Sequence, residues 1–271
     1  MTIAVSQHIY LSPHLDDAVL SCGATIYSQT RADERVTVIT VMAGSAPNAQ
    51  LTAYARELRD RWGYAQDPVG QRRQEDLQAL THLGAHAYHL PFLDCPYRQH
   101  PESQEPLYPT EASIFGELHE AESSFHWELL QALTPALPAD AEAQIYAPLA
   151  VGHHVDHLLV RRVAVALLKR GYDVAFYEDY PYAADEGQVM ASLPGASHAW
   201  WSMLISSHDQ RALEAKWRAI ACYCSQLSTF WDDPMSMRRR VRAFALYAGR
   251  GRYGERFWRL APTAIKSALD L

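Results

Sequence analysis

Two short stretches hold residues whose types and spacing could do chemistry. In SPHLDD, residues 12–17, a histidine and two adjacent carboxylates (His14, Asp16 and Asp17) close the apolar run HIYLS. Adjacent carboxylates repel each other and are costly to desolvate, and a cation at that point relieves both problems. In VGHHVDH, residues 151–157, His153, His154, Asp156 and His157 follow a second apolar run, QIYAPLA. Together His14, Asp17 and His157 offer two nitrogens and one oxygen. Such a set leaves positions free for water, as hydrolytic metal sites do. Only one of two adjacent aspartates easily faces a cation shared with a histidine three residues earlier. The other, Asp16, is then free to take a proton from water. Asp156 is suited to holding an imidazole in its working orientation, and His153 reads as a loop residue.

These clusters need elements to carry them. HIYLS (8–12), VTVITVMA (36–43), AYHLPF (87–92), QIYAPLA (144–150) and YDVAFYED (172–179) read as strands, the second strongly β-branched as buried parallel strands are. Residues 16–31 carry apolar side chains at helical spacing, and a second helix over 156–170 ends at Gly171. Strand–helix alternation predicts an α/β fold, a mainly parallel sheet flanked by helices. Both polar clusters then stand at the carboxyl ends of strands, where open α/β sheets build their sites. Residues 44–66 and 95–125 are too long for plain connections and read as lids or disorder. A long helical pattern, DQRALEAKWRAIACYCSQL, predicts a helical C-terminal extension over about 201–271. It would stand on a core of about 5–200, within a single domain spanning 1–271.

The motifs SPHLDD and HVDH resemble the two signatures of the PIG-L (LmbE-like) zinc-dependent de-N-acetylases, usually written PHxDD and HxDH. RRQEDLQALTHLGA (72–85) and PFLDCPYR (91–98) resemble further family segments, and YEDYPYA (177–183) and CYCSQ (222–226) resemble a glycan-directed subgroup. The likeness is good over 8–180 and loose after about 200. It implies a Rossmann-like sheet and removal of an N-acetyl group from an amino sugar or glycoconjugate, of the N-acetylglucosamine type. It implies His14, Asp17 and His157 as ligands of zinc, with iron(II) or cobalt(II) as other metals such a set accepts. It implies Asp16 as general base, His154 as stabiliser of the oxyanion, and Arg72 and Asp94 as sugar contacts. An oxyanion-stabilising His154 would be expected to act as imidazolium, giving activity an alkaline limb. An amidase of a thiol-sugar conjugate would use the same residues. A non-catalytic nucleotide- or sugar-binding module is the rival of another class, and the lack of a Gly-rich phosphate loop after the first strand speaks against it.

The remaining features bound the reading. The chain has 271 residues, 48% hydrophobic, with a net charge of −7 that argues against a general nucleic-acid partner. Eight arginines between 238 and 259 read as a solvated helix face. No run approaches the roughly 18 apolar residues of a membrane span. The start MTIAVSQHIY lacks a signal-peptide pattern, and Cys22, Cys95, Cys222 and Cys224 read as buried free thiols, so a cytoplasmic location is expected. Glu75 lies one helical turn from Arg72 and could simply pair with it. Glu178 and Asp179 are open between substrate contact and solvation, and His8, His82, His86 and His89 read as structural. Nothing in the sequence sets the oligomeric state.

Overall fold

The structure, a computed structural model, describes residues 7–46, 51–63, 67–138, 143–193 and 200–261. The N-terminal half runs β1 (Gln7–Ser12), α1 (Asp17–Arg31), β2 (Arg35–Thr40), α2 (Ala53–Trp62), α3 (Pro68–Leu83), β3 (His86–His89) and α4 (Phe125–Leu133). The second half runs β4 (Ala143–Pro148), α5 (Val155–Lys169), β5 (Asp173–Tyr177), α6 (Glu186–Ala191), β6 (Trp201–His208), α7 (Gln210–Ile220), α8 (Cys224–Phe230), α9 (Pro234–Ala248) and β7 (Tyr253–Leu260). The strands form one sheet in the order β3-β2-β1-β4-β5-β7-β6. The first five pair in parallel, and β7 pairs antiparallel with both β5 and β6. The predicted α/β class, mainly parallel and helix-flanked, is the observed one.

The central strands form because their side chains are apolar on both faces. Ile9, Leu11, Val38, Ile39, Ile145 and Phe176 are fully buried or nearly so, and β-branched residues fit the pleat. From β1 the chain crosses to β2 on one side, whereas from β4 it crosses to β5 on the other. Right-handed crossovers then put α1 and α5 on opposite faces of the sheet. The reversal lies between β1 and β4, the strands that lead into the two polar clusters. Crevices at such a reversal are where ligands bind in open α/β sheets.

Four expectations need correction. Residues 53–62 form α2, capped by the Thr52 hydroxyl and ended by Gly63, where a lid or disorder had been expected. The stretch from 201 holds α7, α8 and α9 but also β6 and β7, so it extends the sheet as well as covering it. The arginine-rich segment is accordingly divided. Arg238, Arg239 and Arg240 are exposed on α9, while Arg256 is buried on β7 and paired with Glu178 at 2.8 Å. Among the cysteines, Cys22 and Cys95 are buried free thiols, but Cys222 is only partly covered and Cys224 is exposed.

One buried charge cluster ties the C-terminal strands to the first helix. Glu255 of β7 accepts the backbone N–H groups of Ala24 and Thr25 and pairs with Lys216 of α7 at 2.6 Å. Lys216 reaches it by lying against Gly23, where an added Cβ would sit 2.9 Å from the lysine Cγ. Burial alone would raise the Glu255 carboxyl pKa, but Lys216 and His208 outweigh it and lower it. Removing one member of a buried pair strands the other charge, at a cost of about 3–5 kcal/mol. Glu255→Ala is therefore expected to destabilise the protein by about that amount in chemical unfolding. A loss below about 1 kcal/mol would show that the pair does not hold these elements together.

Candidate metal centre

The turn after β1 is fixed by its own polar groups. The Ser12 hydroxyl donates to the carbonyl of His14 at 2.7 Å and accepts from the N–H of Ala18 at 3.1 Å. Asp17, first residue of α1, accepts the N–H of His14 on Oδ2 at 2.8 Å. Asp16 is left at φ 153° and ψ −33°, a backbone region costly for any residue with a side chain. Such strain persists only where the surroundings over-determine it, and here it separates the two carboxylates. The turn after β4 is also sharp. Ala150, Gly152 and His153 have φ of 63°, 87° and 59°, and a Cβ on Gly152 would meet the Tyr182 ring at 2.9 Å. This turn delivers His154 as the N-cap of α5, with Asp156 and His157 in its first turn.

The two loops converge on one oxygen. Asp17 Oδ2 lies 3.2 Å from His14 Nδ1 and 3.3 Å from His157 Nε2. Each imidazole is held from behind by a further carboxylate. His14 Nε2 lies 2.9 Å from Asp156 Oδ2, and His157 Nδ1 lies 2.7 Å from Asp179 Oδ1. Outer carboxylates of this kind fix ring orientation and raise the basicity of the inward nitrogen. Two oriented imidazoles and one carboxylate fit a divalent cation. Burial alone would lower both histidines; Asp94, Asp156 and Asp17 outweigh it and raise His14 well above its usual value. Asp17 and Asp179 likewise raise His157 to about 10. Burial alone would raise Asp17, but His157 and His14 hold it well below the usual carboxylate range.

Asp16, Arg72, Asp94 and His154 border the same cleft, a cavity of about 110 Å³, and Asp156 lies buried behind His14. Asp16 is buried, and desolvation reinforced by repulsion from Asp17 pushes its pKa up to about 8. Arg72 of α3 opposes this shift, its guanidinium 3.9 Å from Asp16 and stacked over the Trp62 ring at 4.5 Å. Asp94 lies 3.5 Å from His14 Nε2. Asp156 orients His14 and also accepts the N–H of Cys95 and a hydrogen bond from Arg98. His153 is exposed and does not line the cleft.

His154 differs from expectation. Its Nδ1 accepts the N–H of Asp156 at 3.2 Å, so the ring proton sits on Nε2. Burial, with the neighbouring His14, lowers its pKa to about 3. It is a neutral donor rather than an imidazolium, and no alkaline limb follows from it. His14, His154 and His157 do present nitrogens within 4.8 Å of one another. With its Nδ1 occupied as an acceptor, however, His154 cannot free the Nε2 lone pair for a metal. Two other groups, Cys95–His154–Asp156 and His14–Asp94–Asp156, both rely on Asp156. That carboxylate is already taken by Arg98, and burial pushes the Cys95 thiol well up, away from the thiolate a metal needs.

Several supporting residues escaped sequence reasoning. Asp179 neither contacts solvent nor stands free, being 1% exposed beneath His157, and Glu178 is buried against Arg256 and Trp258. Arg98 clamps Asp156 and Glu122 together, and Tyr108 donates to the same Glu122 at 2.8 Å. The insertion expected to be a lid or disordered is thereby pinned over the start of α5. Glu75 takes the N–H and hydroxyl of Ser225, and Asp76 accepts from Tyr223 at 2.7 Å. CYCSQ is therefore latched onto α3 beside Arg72. Of the outlying histidines, His89 bonds Asp76 at 2.7 Å and His8 bonds Glu34 at 3.0 Å, in structural roles.

With this geometry in hand, the comparisons are specific. The family model described as "PIG-L: GlcNAc-PI de-N-acetylase" matches residues 9–168, more than half of the chain, and the protein belongs to that family. It is 30% identical over 189 residues to 2'-N-acetylparomamine deacetylase of Niallia circulans, covering 64% of this chain and 66% of that protein. The chain thus spans just under two thirds of that relative's length. A deacetylase of the teicoplanin biosynthesis pathway, solved as a bog complex, aligns with a TM-score of 0.80 at 28% identity, covering 93% of this chain and 97% of that one. The zinc inhibited form of teicoplanin deacetylase aligns with a TM-score of 0.78 at 27% identity, covering 93% and 97%. Among the described residues, no helix is long and apolar enough to cross a membrane.

The electrostatics set a measurable consequence. His14 and His157 hold protons in the metal-free protein, yet imidazole binds a metal only when neutral. Uptake of a divalent cation near pH 7 should therefore release about two protons per ion from the histidines and up to about one more from Asp16, whose pKa of about 8 the cation's charge draws down, and affinity should fall as pH falls. Calorimetric titration in buffers of different ionisation enthalpy reads this number. Release near zero would contradict the described charge states.

Proposed function

We propose that the protein is a metal-dependent hydrolase that removes the N-acetyl group from an amino sugar or glycoconjugate of the N-acetylglucosamine type. The observation that carries this is the meeting of His14 Nδ1 and His157 Nε2 at Asp17 Oδ2, each ring backed by its own carboxylate. Family membership and the deacetylase relatives support the same reading. We assign His14, Asp17 and His157 as the residues that hold the cation. Zinc suits two imidazoles and a carboxylate, and so do iron(II) and cobalt(II). One relative was solved in a zinc inhibited form, so the metal giving highest activity is a separate question from the metal that binds.

When bound, the cation supplies Lewis-acid charge that eases ionisation of water and build-up of negative charge on the amide oxygen. The chain's own residues do the rest. Asp16, with a pKa poised at about 8 before the cation's charge draws it down, takes a proton from the attacking water. The water oxygen bonds to the amide carbon, and the C–N electron pair leaves with nitrogen. Asp16 returns its proton to that nitrogen, giving acetate and a free amine. His154 donates its Nε2–H to the developing oxyanion and needs no protonation to do so. Asp156 orients His14, and Arg72 and Asp94, on the cleft wall, hold the sugar hydroxyls. The reading carries with it a cytoplasmic location.

A pair of variants separates these roles. Asp16→Asn should retain one divalent ion per chain and lose about 10²–10⁴-fold in kcat. His154→Ala should lower kcat and kcat/KM together by about 10²–10³-fold, with KM and metal content little changed. Acetate release and elemental analysis, on protein loaded in turn with zinc, cobalt and iron(II), read both. Metal lost in proportion to activity in Asp16→Asn would mean that the two aspartates have been assigned the wrong way round.

A further inference from the structure

A second cavity of about 520 Å³ opens beside the metal cleft. The two share Tyr180, Pro181, Thr229 and Phe230 as lining residues, so they adjoin. Their linings differ in charge. The cleft combines histidines, aspartates and Arg72 with aromatic side chains such as Tyr54, Trp62 and Tyr182, whereas the second cavity is aromatic without any histidine or carboxylate among its described lining residues. Tyr180 packs 4.9 Å from Phe244 and stacks 6.3 Å from Trp231 at 20°, forming its floor. Its outer side is α9, which contributes Ala243, Phe244 and Tyr247. Arg240 is the one charged side chain among the described residues of the lining. It is exposed, so the one charge on the cavity lining is positive.

We infer that this cavity receives the aglycone of the substrate, and that the aglycone is an apolar, aromatic group rather than a polycationic aminocyclitol. The inference rests on the de-N-acetylase reading, because the shared lining residues place the cavity directly beside the cleft that would hold the acetamido sugar. Aromatic walls stack on flat apolar groups and gain from keeping them dry. They offer a cationic aglycone no carboxylate, and Arg240 repels it. The cavity is also the larger of the two, 520 Å³ against 110 Å³, so most of the recognised bulk lies beyond the sugar.

The test compares acetate release by the metal-loaded enzyme from methyl, 2-naphthyl and aminocyclitol glycosides of N-acetylglucosamine. The naphthyl glycoside should exceed the methyl one by about tenfold or more in kcat/KM, and the aminocyclitol glycoside should be the poorest of the three. Ala243→Trp, an exposed helix position facing the cavity, should bring the naphthyl-to-methyl ratio close to one. Tyr247→Ala, at a position 47% exposed, should lower the same ratio part-way by removing one wall, and Arg240→Glu should improve the aminocyclitol glycoside relative to the methyl one. The readout is a ratio, so a general loss of folded enzyme does not mimic the effect. Equal kcat/KM for methyl and naphthyl glycosides, or a ratio unmoved by both Ala243→Trp and Tyr247→Ala, overturns the cavity's role while leaving the hydrolase reading intact. No acetate from any glycoside with any of the three metals overturns the hydrolase reading, and this inference with it.

Discussion

A backbone N–H and two imidazole nitrogens from two distant loops crowd one carboxylate oxygen, and much of the site's construction serves to keep them there. Asp17 Oδ2 takes the N–H of His14 and faces an imidazole nitrogen from each loop. Buried carboxylates around the two histidines hold both toward the charged form. Those carboxylates are in turn satisfied: Asp156 by Arg98 and the Cys95 N–H, Asp179 by the N–H of Val151. A buried charge with no partner would be prohibitive. The network therefore extends outward until it reaches backbone, or arginines that are themselves paired.

This chain of dependence explains the architecture around it. The β1–β4 adjacency brings the two loops together, and the reversal of crossover direction between them leaves a crevice. Asp94 follows β3 and Asp179 follows β5, so residues beyond four strand ends reach a single site. The strained turn at Asp16 keeps one carboxylate away from the metal donors, in a desolvated position beside Arg72 where it can hold a proton near neutrality. The insertion after β3 seals one side through Arg98 and Glu122, and α8 seals another through its bonds to α3.

What could be read from the sequence follows the same division. β1, β2, β4 and β5 announce themselves as apolar runs, and α1 and α5 by their periodicity, so the two polar clusters could be placed at strand ends from spacing alone. The expectation that His14, Asp17 and His157 form one donor set rested on residue type, that placement and the resemblance to the family, and the structure brings the three side chains together. β6 was hidden because serines interrupt its apolar run and much of it is only half-buried, and β7 because it mixes charge with aromatic residues, Glu255 and Arg256 being buried only through partners far away in the chain. Asp179 was ambiguous for the same reason. Nothing local tells an acid beneath a histidine from one in water. The protonation of His154 was misjudged because it turns on a single backbone N–H, a contact created by the helix start and not by composition.

The central claim is that one cation sits where Asp17, His14 and His157 meet, and an anomalous difference map of cobalt-loaded crystals tests it most directly. The account predicts one strong peak, about 2.0–2.2 Å from His14 Nδ1, Asp17 Oδ2 and His157 Nε2, with Asp16 and His154 outside coordinating distance. A peak held instead by Asp156 with Asp94 or Cys95, or no peak within reach of Asp17, would contradict it.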